Sequence, residues 1–263
     1  MILSKKQMEL FLESRTRNPP SKPPANIGTI LSKIKLFEIY PNIFAVVIKD
    51  DKLRGRIFMR YQEFYESDSE TFRGKGFKWK EFVDYYKNKT KSDILTYHKD
   101  WAGYNIPCDS ISSCMSLIPD INFYDLIMFS IIENIKKIVG TDKYYLIGVD
   151  QTDGENLDLI YHELAHGLWF GNKNYHTKQL NNLQNLPEDT YDKLANKVLK
   201  MQYGENVVDD EIQAYLSTGI DTSMAGIKGI KQIQIPFKET FERFAKQMNP
   251  KQIPIEWSVN LNR

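Results

Sequence analysis

Cysteine is almost missing from this chain: Cys108 and Cys114 are the only two in 263 residues. That excludes a disulfide framework and fits a reducing compartment. An excess of one charge sign is missing too, since 35 Lys and Arg stand against 34 Asp and Glu. The formal net charge of +1 therefore sets up no global field toward nucleic acid or an acidic membrane. No apolar run approaches the roughly 18 residues needed to span a bilayer. The opening "MILSKKQMELFLESR" has no uninterrupted apolar stretch, so it reads as an amphipathic helix over 2–15, not as a signal peptide. The expected location is the cytoplasm, or outside the cell by export without a cleaved signal. Nucleic-acid and membrane partners are not expected, and nothing in the sequence speaks to oligomeric state.

What is present divides unevenly. After the first helix, "RNPPSKPPANIG" packs four prolines into residues 17–28, a stiff extended arm. "IFAVVIKDDKLRGRIFMRYQEF" gives two β-rich runs around a polar break from Asp50-Asp51 to Gly55, which predicts a hairpin. Residues 67–110 are polar and aromatic without a sustained period, apart from a helix near Trp79 to Tyr86. Phe123, Ile127, Ile131, Ile135 and Ile138 follow helical spacing, with Asp120 or Asn122 as N-cap and Gly140 as stop. "KYYLIGVD" (143–150) is a short strand, and "QTDG" a turn. Three more helices are predicted: 187–201 opened by Pro187, one capped by Asp209 or Asp210, and a last one with Phe237, Phe241, Phe244 and Met248 on one stripe. The class is α+β, with a strand-rich N-terminal half and a helical C-terminal half.

Two of the four histidines fall in "DLIYHELAHGLWF", residues 158–170. On a helix, positions i and i+4 lie on one face, so His162 and His166 can aim imidazole nitrogens at a single ion. Glu163 is turned about 100° away and sits beside such an ion, where a general base for water belongs. Two histidines do not hold a catalytic zinc, so a third ligand is required. Asn172 stands where a third histidine of the extended motif would be, and His176 lies beyond the Gly171 stop, as a surface or supporting residue. Cys108 and Cys114 have no ligand-like surroundings. The better candidate is Glu211 in "DDEIQAYL", whose carboxylate can meet the histidines across a helix–helix contact. Asp158, one turn before His162, can orient a ligand imidazole or be a plain solvated charge.

"HELAH" followed by "EIQAY" resembles the glutamate-zincin metallopeptidases. The 45-residue spacing from His166 to Glu211 is similar to that in the catalytic domains of anthrax lethal factor and Pro-Pro endopeptidase. Those domains also carry a Tyr-Gly shortly before the ligand glutamate, here Tyr203-Gly204. The resemblance covers about residues 143–218. It implies a zincin-like fold with a small mixed sheet, Zn²⁺ on His162, His166 and Glu211, and Glu163 as general base. It also implies a tyrosine that supports the oxyanion. Tyr203 and Tyr215 both qualify, because Tyr215 replaces the acid usual at its position and shares the face of Glu211. The implied organisation is an N-terminal helix and arm over 1–28, then one metallopeptidase-like domain over 29–263. Within it, 29–140 forms an N-terminal subdomain and 141–263 the metal-site subdomain.

The expected activity is hydrolysis of peptide bonds in a protein or peptide substrate, with strand 143–150 as an edge that takes the substrate in extended form. Two alternatives stay open: a zincin-fold binding module without proteolysis, and a metal-dependent hydrolase of a non-peptide amide. "FRGKGFKWK" (72–80) interleaves basic and aromatic residues, but reads as a solvated face with buried ring edges. His98, Trp101 and Tyr104 cluster in an expected loop, either as substrate contacts or as packing beneath it.

Overall fold

The computed structural model describes residues 27–140, 143–152, 157–219 and 226–257. The predicted helix 2–15 lies outside the described residues, as do the arm before Ile27 and the second half of the "QTDG" turn. In chain order the described elements are α1 (Ile27–Leu31), β1 (Lys35–Tyr40), β2 (Ile43–Val47), α2 (Asp51–Glu66) and α3 (Trp79–Thr90). α4 (Tyr97–Asp100), β3 (Tyr104–Pro107), α5 (Cys108–Leu117), α6 (Phe123–Val139) and β4 (Tyr145–Val149) follow. The C-terminal part holds α7 (Asp158–Gly171), α8 (Lys173–Gln184), α9 (Glu188–Lys200), α10 (Val208–Thr218), α11 (Ile230–Ala245) and β5 (Lys251–Ile253).

The strands form one mixed sheet in the order β3-β4-β2-β1-β5. β2 and β4 pair in parallel at its centre, and the other neighbours are antiparallel. Both central strands are buried at every position, as expected for strands covered on two faces. Strand alternation then sorts the side chains. Phe44, Val46 and Leu146 face a core built with α2 and α6, whereas Ile43, Ala45, Val47, Tyr145 and Ile147 face α7 and α11. A third cluster, with Leu194, Ile212 and Phe237, ties α8 to α11 together. The sheet draws strands from both halves of the chain.

The α+β class holds, and three finer expectations are corrected. The predicted hairpin across Asp50–Gly55 is a strand followed by a helix. Asp50 accepts from the Leu53 N–H at 3.0 Å and caps α2. Leu53, Ile57, Tyr61 and Phe64 then recur at helical spacing toward the core. The true hairpin comes earlier, β1 to β2, and turns at Asn42 with φ 63°. The N-terminal half is accordingly helix-rich, not strand-rich. Asp209 and Asp210 lie in the first turn of α10 instead of capping it. α6 is as predicted: Asn122 accepts from the Tyr124 and Asp125 N–H groups, and Gly140 ends the helix with φ 61°.

Candidate metal centre and its cleft

α7 is seated on the sheet by Ile160, Leu164 and Leu168. Gly167 allows the approach, since a Cβ there would stand 2.9 Å from Ile43 Cγ2. The opposite face turns His162 and His166 toward α10, with their Nε2 atoms 3.3 Å apart. Glu211 on α10 completes the group, Oε1 at 3.6 Å from His166 Nε2 and Oε2 at 3.9 Å from His162 Nε2. Tetrahedral ligands about 2.0–2.1 Å from an ion stand about 3.3 Å from one another, so the three donors have the spacing of one coordination sphere. They can hold a metal ion, and among the described residues no other group of three such donors comes together.

The electrostatics point the same way. His166 and Glu211 are each 1% exposed. Burial works to lower the His166 pKa, but the Asp210 and Glu211 carboxylates outweigh it and raise it to about 10. Burial pushes Glu211 upward, with His166 opposing. So much negative charge around one imidazole demands a positive charge here. A proton on His166 Nε2 or a cation bound by that nitrogen can supply it, and the two exclude each other.

Asp210 Oδ1 lies 2.9 Å from His166 Nδ1, and Thr218 Oγ1 lies 3.4 Å from His162 Nδ1. Asp210 is itself held, because Gln213 donates to it at 2.9 Å and Tyr175 donates to Gln213 at 2.8 Å. Asp210 and Thr218 thus stand beside the two Nδ1 atoms, while the Nε2 atoms face each other and Glu211. Asp158 is exposed at the start of α7.

Glu163 is 4% exposed beside the donor group. Gly103 makes room for it, since a Cβ at 103 would collide with Glu163 Oε1. The Asn105 side chain stands beside its carboxylate, and the Tyr145 hydroxyl orients Asn105 by donating to Oδ1 at 2.7 Å. Burial raises Glu163 to about 7, with His166 and Asn105 pulling it down. Tyr203 and Tyr215 both reach the site with hydroxyls 3.3 Å apart. Tyr203 also stands beside Glu211 and pulls its pKa down, and the Tyr215 ring packs 4.7 Å from that of His162.

Other predicted candidates fall elsewhere. His176 stacks on Trp169 at 4.0 Å, and both cysteines are buried as free thiols away from the donor group. Of the loop cluster, Tyr104 is core, stacked on Phe58, and His98 packs on Gly55. Trp101 does line the cleft and meets Tyr203 edge-to-face at 5.8 Å. In "FRGKGFKWK", Phe72 and Phe77 are buried against each other, which makes the stretch a packing element.

The strand expected to be an edge, β4, is internal, paired by β2 and β3 on its two sides. The edge beside the site is β3, where the Asn105 N–H already donates to Gln62 Oε1 at 3.2 Å. The cleft has a volume of about 670 Å³, and its wall comes from α2, α3 and residues 100–105 of the N-terminal half. Among the described residues no helix is long and apolar enough to cross a membrane. No protein-family model, curated protein or solved structure matches this chain.

Proposed function

We propose that the chain is a zinc-dependent endopeptidase of the glutamate-zincin type, with His162, His166 and Glu211 as metal ligands and a protein or peptide as substrate. The observation that carries this reading is the convergence of the two Nε2 atoms and the Glu211 carboxylate at 3.3–3.9 Å, with a buried carboxylate beside them. Two imidazoles and one carboxylate are a donor set that suits zinc and leaves a coordination position open. Zinc held there acts as a Lewis acid on a carbonyl oxygen and makes water more acidic.

The chain's own groups do the rest. Asp210 fixes the proton of His166 on Nδ1. Glu163 takes a proton from the water whose oxygen bonds the carbonyl carbon and returns it to the amine as the C–N bond breaks, and a pKa near neutrality suits both transfers. The paired Tyr203 and Tyr215 hydroxyls are donors for the developing oxyanion. Trp101 and Leu159 supply apolar surface to the lining.

One observation favours a second reading, a hydrolase of a compact non-peptide amide. The Gln62 cap removes a backbone donor that an extended peptide would use on the β3 edge. Wild type and Glu163→Gln should be assayed against a peptide library and a panel of small amides. The variant should lose about 10²–10⁴-fold in turnover while keeping fold and metal. Turnover of amides alone selects the second reading. If neither substrate class is turned over, a non-proteolytic binding module is left, and a fully active variant removes Glu163 as base.

A further inference from the structure

The cleft does not end at the metal ligands. It continues between the C-terminal turns of α2 and α3 and residues 100–101, where Glu63, Glu66, Asp68, Asp100 and Lys89 line it. Glu63 and Glu66, three residues apart on one face of α2, are 7% and 3% exposed. Lys89 is the only lysine or arginine in the lining among the described residues, and Asp68 already holds it at 2.9 Å. Asp100 receives the Tyr86 and Thr96 hydroxyls at 2.6 and 3.1 Å, not a cation. Glu66 Oε1 accepts from the Gln62 amide at 2.5 Å, while its Oε2 is buried without a partner. Glu63 faces the hydroxyls of Ser67 and Tyr97, and burial lifts its pKa to about 7 against the pull of those hydroxyls and of the Lys89 charge, which Asp68 partly cancels.

Uncompensated buried carboxylates are costly, and breaking or omitting a charge partner inside a protein is among the larger destabilising terms. Such groups concentrate where a ligand completes the pair. Trp101 and Tyr86, residues whose rings can attract cations, belong to the same lining. We propose that this arm of the cleft is a subsite for a positively charged group of the substrate, an ammonium or guanidinium, with Glu63 as its carboxylate partner. Glu66 stands between this arm and the metal donors, with Glu211, His166 and Glu163 as its charged neighbours. The inference rests on reading the cleft as the substrate site, but its test requires no turnover.

Binding to the full-length, metal-loaded chain is measured by calorimetry with N-acetylargininamide and its uncharged isostere N-acetylcitrullinamide. Norleucinamide with a free α-amine and its N-acetylated form separate a terminal amine from a side chain as the source of the charge. In at least one pair the charged member should bind about tenfold tighter or more, the scale of a charge-assisted hydrogen bond. Glu63→Gln should erase that difference while metal content stays unchanged. Equal binding within both pairs, or a preference that survives Glu63→Gln, overturns the proposal. Charge-selective binding without any hydrolysis removes the peptidase reading and leaves the subsite standing. Hydrolysis without charge selectivity does the reverse.

Discussion

On the floor of the cleft, α7 and α10 bury Asp210 and Glu211 with their oxygens 2.9–3.9 Å from imidazole nitrogens. On the wall, α2 buries Glu63 and Glu66 against an amide and hydroxyls, with the one nearby lysine held by another acid. Both regions carry more negative than positive charge, yet only the floor has donors at the spacing of one coordination sphere. A fixed triangle of nitrogen and oxygen donors suits a small resident ion. The wall's acids, spread along the cleft with Trp101 and Tyr86 in the same lining, suit the larger organic cation proposed above. The floor's imidazole is tied from Tyr175 through Gln213 to Asp210, beside His166 Nδ1, whereas the wall's acids are tied to the Gln62 amide, to hydroxyls and to Lys89.

This contrast breaks most sharply at Glu63. Its pKa of about 7 lies above the ordinary 4.5, so the folded chain keeps this proton over a range where the unfolded chain has lost it. Stability should therefore fall as pH rises from about 4.5 to about 7, by on the order of 3 kcal/mol from this group alone. Glu63→Gln should remove that loss, stabilising the protein at pH 8 and leaving it unchanged at pH 4. Denaturant unfolding of both proteins across this range checks the prediction. Parallel pH profiles would mean that Glu63 does not carry an unpaired buried charge.

A smaller effect is expected on the floor. Asp210→Asn keeps an acceptor near His166 Nδ1 but removes the charge, so metal affinity should drop about 10–100-fold with the fold retained. Competition against a chelator measures it. Undiminished affinity would show that Asp210 does not support the imidazole as a ligand and that the two regions are less different than their contacts imply.

The legibility of the sequence follows the same divide. His162, Glu163 and His166 were readable because three side chains within one and a half helical turns need only the helix period to be placed. Glu211 was readable through its spacing and the resemblance it supports. Asp210 was not, because two acids at a helix start look alike as partners of the helix dipole. Only the packing of α10 on α7 separates them, with Asp209 bonded to Tyr191 and Asp210 beside His166.

The wall was hidden by a misread period. Ile57, Phe58 and Met59 look like a strand after Gly55, which obscured the helical recurrence of Leu53, Ile57, Tyr61 and Phe64. Once α2 is a helix, Gln62, Glu63 and Glu66 share a face, and Gly55 is explained by close packing, a Cβ there being 3.0 Å from His98 Cβ. β3 escaped notice because "YNIP" is four residues long and ends in proline, a pattern tolerated at a sheet edge.

Elemental analysis of protein purified without added metal decides whether His162, His166 and Glu211 hold an ion. Near-stoichiometric zinc is expected in the wild type and much less in Glu211→Ala. Zinc retained in Glu211→Ala would move the third ligand elsewhere. No metal in either protein would leave α7 as a helix with two histidines on one face.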